Sequence, residues 1–253
     1  MSRKPSNSSR RPPGSGSKSR TSPLLSLVLI IVGLFMVIGY FRGGSGISGG
    51  IKAAISKLEG ESCTSEVQKA FPLLKETYGD SMRRVLHVGP DTCSVVSKLL
   101  REEDAEAWGV EPYDMEDADD NCKTLIRRGI VREADIKFPL PYRAKSFSLV
   151  LVSDALDYLS PKYMNKTVPD LVRVSTDGLV IFTGYPSKHR AKLAELPKFG
   201  RPAKMRSASW WTRFFAQANL EVNEDAAKKF DQAAMKVPQK PSCQVFHLSS
   251  NHR

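Results

Sequence analysis

Three regimes of hydrophobic and polar positions follow one another along the chain. Residues 1–23 are rich in Ser, Pro, Gly, Arg and Lys, with no acid and almost no apolar residue. Residues 24–41, LLSLVLIIVGLFMVIGYF, are uncharged and almost wholly apolar. After the glycine-rich stretch RGGSGISGG at 42–50, short apolar runs alternate with segments of helical spacing.

The third regime predicts the elements. Helical spacing covers 51–58 and 65–78, with Pro72 interrupting the second. Strands are expected at 84–88, 105–111 and 130–134, with helices at 92–101 and 116–128 between them. FSLVLVS at 147–153 and GLVIFT at 178–183 are unbroken apolar runs, the pattern of strands buried on both faces. Further helices are expected at 161–174, at 209–218 behind a capping Ser, and at 225–235. Residues 221–222 and 243–248 supply two last strands. Alternation at this pitch implies an α/β fold: a mostly parallel sheet between two helical layers, a Rossmann-like three-layer sandwich.

The first two regimes set the organisation. A segment like 1–23 cannot bury enough surface to offset its ordering entropy, so it is expected to be a disordered tail. The 18 residues 24–41 span about 27 Å as a helix, enough for a thin bilayer. They are expected to be a single transmembrane signal anchor, with 42–60 a flexible stalk and 61–253 the folded domain. Arg3, Lys4, Arg10, Arg11, Lys18 and Arg20 precede the span, and only Arg42 follows it closely. The positive-inside rule then places the tail in the cytosol and the domain in the lumen, a type II membrane protein. The formal net charge is +11, and without those six residues 32 basic stand against 27 acidic ones. Asn165-Lys166-Thr167 is a candidate N-glycosylation site. Cys63, Cys93, Cys122 and Cys243 are widely spaced, with no CxxC pair and no His at zinc-site spacing, so no metal site is expected. Pairing in an oxidising lumen and buried free thiols both remain open, as do the three connectivities.

In open α/β sheets, ligands bind at the carboxyl ends of the strands. The groups expected there are Gly89-Pro90-Asp91, Glu111, Asp135, Ser153-Asp154 and Gly184-Tyr185-Pro186. A glycine lets the backbone approach a nucleoside. An acid about 20 residues on, Glu111, is placed to accept both ribose hydroxyls, and Asp135 an adenine amino group. A nicotinamide-linked enzyme would bring a richer glycine loop and a partner catalytic module, and neither is present.

The segments LHVGPDT, WGVEPYD, READIKFPLPYRAKSFSLVLVSDALDYL and GLVIFTGYP resemble the class I S-adenosylmethionine-dependent methyltransferases over residues 80–250. The resemblance implies S-adenosylmethionine as cofactor, contacted by His87, Gly89, Asp91, Glu111, Asp135 and Ser153. Asp154 would then lie near the methyl group, with Tyr158 and Tyr185 toward the acceptor side, and Asp154 and Tyr185 are the candidate catalytic residues. One departure stands out: His87 replaces the acid these enzymes carry two residues before the first glycine. With its basic tail and single anchor, the whole chain resembles the plant cotton-Golgi-related family. That family is implicated in methylesterifying homogalacturonan, the pectin backbone, in the Golgi. The resemblance implies a pectin carboxyl methyltransferase in the Golgi membrane; the alternative is an inactive fold that scaffolds a polysaccharide-synthesising complex.

A polyanionic acceptor needs cations. Lys188, Arg190, Lys192, Lys198, Arg201, Lys204, Arg206 and Arg213 lie within 186–213 against the single acid Glu195, and Trp210 and Trp211 lie in the same stretch. Lys188, Arg190, Arg201, Lys204, Arg206 and Trp210 are the candidate acceptor contacts. Nucleic acid would also suit basic patches, but a lumenal domain does not meet it. The one G-x-S-x-G match, Gly46 to Gly50, falls in the glycine-rich stretch and not at a strand-to-helix turn, which argues against a serine esterase.

Overall fold

The computed structural model describes residues 62–112, 115, 118–186, 203–237 and 242–250. The tail, the apolar segment 24–41 and the stalk lie outside those residues, as do the helix expected at 51–58, Lys188, Arg190 and Arg201. Among the described residues, no helix is long and apolar enough to cross a membrane.

Among the described residues, six strands form one sheet: β1 (Arg84–Val88), β2 (Glu106–Glu111), β3 (Val131–Glu133), β4 (Phe147–Ser153), β5 (Ser175–Gly184) and β6 (Cys243–Leu248). Their spatial order is β3-β2-β1-β4-β5-β6. The first five are mutually parallel and β6 runs antiparallel to β5 at the edge. This is the mostly parallel, doubly wound sheet expected from the sequence. The order reverses between β1 and β4, which creates a topological switch point at their carboxyl ends. The strand expected at 221–222 is reduced to one bridge between Val222 and Leu248.

The described residues also form seven α-helices around the sheet: α1 (Cys63–Lys69), α2 (Phe71–Tyr78), α3 (Thr92–Leu99), α4 (Asp120–Arg127), α5 (Pro161–Val174), α6 (Ala208–Gln217) and α7 (Glu224–Met235). The helical stretch at 65–78, expected to be interrupted at Pro72, is divided between α1 and α2. Pro72 sits in the first turn of α2, where its missing N–H costs nothing. The side chains of Ser62, Asp119, Ser207 and Asn223 cap α1, α4, α6 and α7 by accepting from backbone N–H groups.

The unbroken apolar runs follow from burial on both faces. In β4, Val150 and Val152 face the layer of α5 and α6, while Leu149 and Leu151 face that of α1, α2, α3, α4 and α7. In β5, Leu179 and Ile181 alternate with Val180 and Phe182 in the same way. Trp211, Phe214 and Phe215 of α6 enter the first layer. Disulfides join Cys63 to Cys243 and Cys93 to Cys122, so no cysteine is free. The first ties α1 to β6 and the second ties α3 to α4.

Candidate cofactor and acceptor site

Parallel pairing brings the candidate groups to one edge of the sheet. In spatial order they are Asp135 after β3, Glu111 closing β2, Gly89 to Asp91 after β1, Ser153-Asp154 at β4 and Tyr185 after β5. At about 4.8 Å per strand, Asp135 and Asp154 are separated by about 14 Å along that edge.

Two glycines determine how tightly this edge is built. A Cβ on Gly89 would lie 2.6 Å from the Ser153 hydroxyl and closer still to the Ser153 carbonyl oxygen. The single glycine of the loop therefore lets the β1 turn lie against the end of β4. Gly109, which carries no motif signature, does the same for the neighbouring strand β2. A Cβ there would lie 2.7 Å from Thr92 Oγ1, so this glycine admits the first turn of α3. The backbones of Asp91 (φ 54°) and Asp154 (φ 55°) both have positive φ. The residues following the two strands that flank the switch point thus carry local strain, a common companion of binding sites.

Glu111 is 7% exposed, and its Oε2 accepts from the Thr92 N–H at the start of α3, 3.2 Å away. Together with Pro90, Asp91 and Met115 it lines a cleft of about 850 Å³ whose wall includes Cys93 and Cys122. Asp135 is exposed, accepts from the Lys137 N–H at 3.0 Å and pairs with Lys137 Nζ at 2.9 Å. Glu111 lines this cleft with Asp91, whereas Gly89, Asp135, Ser153 and Asp154 lie outside its wall. An acid at the end of β2 and a second one strand further out suit the hydroxyl and amino donors of a nucleoside.

The other side of the switch point is closed by hydrogen bonds. His87 is fully buried, with Nδ1 2.8 Å from Thr92 Oγ1 and Nε2 3.0 Å from Ser153 Oγ. Ser153 Oγ also meets Thr64 Oγ1 at 2.8 Å, and Thr64 donates to Pro90 O at 2.9 Å. Burial lowers the His87 pKa to about 3, so the ring is neutral and each nitrogen has a hydroxyl partner. Asp154 Oδ2 accepts from the N–H groups of Cys63 and Thr64 at 2.8 and 3.3 Å. The amino end of α1 therefore sits over the β1/β4 crevice, held by both Ser153 and Asp154.

The acceptor side gathers around the 3₁₀ turn Ala155–Tyr158. Tyr185 is 48% exposed and Lys204 is exposed, whereas Arg206 is buried. The Arg206 guanidinium donates to the carbonyls of Lys204 and Leu159 and lies 4.8 Å from the Trp210 ring centroid. Trp210 in turn stacks on Phe214, with ring planes 7° apart. Arg206 and half-buried Trp210 thus join the inner packing of this face, while Tyr185 and Lys204 face solvent. Asn165 is exposed on α5, but its sequon partner Thr167 is buried and donates to Ile136 O at 2.6 Å.

No family model matches the sequence. "Probable pectin methylesterase CGR2" of Arabidopsis thaliana is 67% identical over 237 residues, which cover 93% of this chain and 90% of the relative. "Probable pectin methylesterase CGR3" of the same plant is 66% identical over 237 residues, covering 93% and 92%. The chain belongs to this family. It is the cotton-Golgi-related family that the motifs resemble. Among solved structures, geranyl diphosphate C-methyltransferase from Streptomyces coelicolor A3(2) aligns at a TM-score of 0.49 and 14% identity, over 74% of this chain and 81% of its own. Magnesium protoporphyrin IX methyltransferase from Synechocystis aligns at 0.48 and 8%, over 73% and 82%. At those TM-scores neither bears on the chemistry of this site.

Motif reading locates the strand-end acids of this family member but misses three residues that organise them. Thr64 precedes the first strand by 20 positions and has no periodic signature. Thr92 reads only as a helix start. Asp157 carries no motif signature of its own and is 1% exposed.

Proposed function

We propose that this protein is a Golgi-membrane S-adenosylmethionine-dependent methyltransferase that methylesterifies galacturonate carboxyls of homogalacturonan. The observation that carries the reading is buried Glu111 at the end of β2, which lines one cleft together with Pro90 and Asp91 of the turn after β1. The names of both Arabidopsis relatives add pectin as the substrate class. Two disulfides and the expected anchor suit a lumenal domain.

Glu111 and Asp135 would hold the nucleoside, and the Gly89 turn would pass beneath it. The neutral His87 cluster would form an uncharged wall beneath the methionine end. When bound, S-adenosylmethionine supplies an electrophilic methyl on a positively charged sulfur. A galacturonate oxygen is already anionic near neutral pH, so it would take that methyl without losing a proton, the S–CH₃ bond breaking with its electron pair left on the neutral sulfur of S-adenosylhomocysteine. The protein's work is then alignment and exclusion of water rather than general base catalysis.

Two other readings each have one observation in their favour. The relatives' names speak of a methylesterase, and His87 Nε2 does meet Ser153 Oγ. Yet both residues are fully buried, and the other ring nitrogen meets a hydroxyl rather than a carboxylate. A hydrolytic nucleophile needs exposure and an oriented base. A non-catalytic scaffold is favoured by α1 lying over the switch point.

One assay separates the three. The full chain is incubated with methyl-labelled S-adenosylmethionine and de-esterified homogalacturonan, and in parallel with methylesterified pectin. Label appearing as polymer methyl ester supports the transferase. Methanol released from pectin without cofactor would support the esterase, and neither product the scaffold.

A further inference from the structure

Asp157 is the most deeply buried carboxylate at this edge and has no role in the reading above. Its Oδ2 accepts from the Gly184 N–H at 3.0 Å, and its Oδ1 accepts from the Thr183 hydroxyl. Its backbone carbonyl accepts from the Lys204 N–H at 2.7 Å. Buried Gln244, on β6, donates from Nε2 to both Gly184 O and Arg206 O at 2.8 Å. One Asp and one Gln therefore stitch together two stretches of chain 20 positions apart, Gly184 and Lys204. Desolvation raises the Asp157 pKa to about 7 against the pull of its two hydrogen bonds. Such a carboxylate costs stability, so its presence calls for a positional reason.

The stitched stretches deliver two exposed side chains of complementary chemistry. Tyr185 leaves directly from Gly184, and Lys204 is the residue whose N–H is held. Asp154, expected beside the methyl group, begins the same turn as Asp157. We propose that Asp157 is a positioning residue that sets Tyr185 and Lys204 as one subsite for a uronate unit next to the reacting one. The phenol ring meets the apolar face of the sugar, and the ammonium pairs with its carboxylate. This subsite rests on the acceptor reading above and adds to it which side chains read the acid and which read the ring.

Calorimetry on the full chain tests this with a de-esterified oligogalacturonate and with its fully methylesterified, uncharged counterpart. Affinity for S-adenosylmethionine is measured beside each. The wild type is expected to prefer the acid form. Lys204→Ala loses about fivefold of that preference, the size of one solvent-exposed charge pair. Tyr185→Ala weakens both oligomers alike, and Asp157→Asn does both. Affinity for S-adenosylmethionine stays unchanged in all three. Both exposed-residue variants can be tested even if Asp157→Asn fails to fold. Unchanged oligomer binding in Tyr185→Ala and Lys204→Ala overturns the subsite and leaves the acceptor reading standing. A wild type without preference for the acid form overturns both. Loss of cofactor affinity in Asp157→Asn would reduce Asp157 to a structural role and overturn the positioning claim.

Discussion

His87 illustrates how a single side chain sets both chemistry and stability. The ring is neutral in the fold because burial lowers its pKa to about 3 from the ordinary 6.5. Between those values the unfolded chain binds a proton that the folded chain refuses. The contribution of His87 is therefore complete above pH 6.5 and is lost as the pH falls toward 3. Asp157 has the opposite sign. Its pKa is raised to about 7, so its contribution is complete below the ordinary value of 3.8 and is lost as the pH rises through 7. His87→Asn should flatten the decline in stability on acidification relative to the wild type, read as urea midpoints at about pH 4.5 and about pH 7. An unchanged slope would mean that the ring is protonated in the fold. Gly89→Ala belongs to the same level. With the Ser153 backbone in the way, it should cost about 1 to 3 kcal/mol, as overpacked sites do. Thermal unfolding checks it.

Among helices and strands, α1 is the least expected and the most consequential. It precedes the first strand, yet its amino end occupies the switch point through Thr64 and the cap from Asp154. The Cys63–Cys243 disulfide fastens that end to β6 across 180 positions of sequence. Replacing both cysteines with serine should cost about 2 to 5 kcal/mol. By the loop-entropy argument, the effect should exceed that of removing Cys93–Cys122, which closes only 29 positions. Denaturant midpoints of the two double variants decide the order. The contrast also shows what the pattern of residues can reveal. The runs 147–153 and 178–183 were legible as strands because burial on both faces leaves an unbroken apolar record. Helical spacing from residue 65 announced α1, but its place over the switch point was not legible, because side-chain hydrogen bonds and a disulfide to residues far along the chain fix it. The cysteine pairing was likewise open, since spacing alone allows three connectivities.

Across the protein as a whole, the candidate site was legible to the extent that it depends on strand ends. Glu111 and Asp91 meet at one cleft because the turns after parallel strands open on the same edge. What could not be read was which cations turn outward. Lys204 and Arg206 are two positions apart in the same basic run, yet one is exposed and the other is spent on carbonyls and an indole face. That outcome depends on the Asp157 turn, which a charge count does not contain.

The central claim is that Glu111 holds the cofactor. Titration calorimetry of the full chain with S-adenosylmethionine, beside Glu111→Gln, tests it most directly. The Gln carbonyl still accepts from the Thr92 N–H, so the fold is kept while the carboxylate that would receive the ribose hydroxyls is removed. We expect wild-type binding and an affinity about 10- to 100-fold weaker in the variant, the range for losing charge-assisted hydrogen bonds. Equal binding by both proteins, or no binding by a folded wild type, would contradict the account.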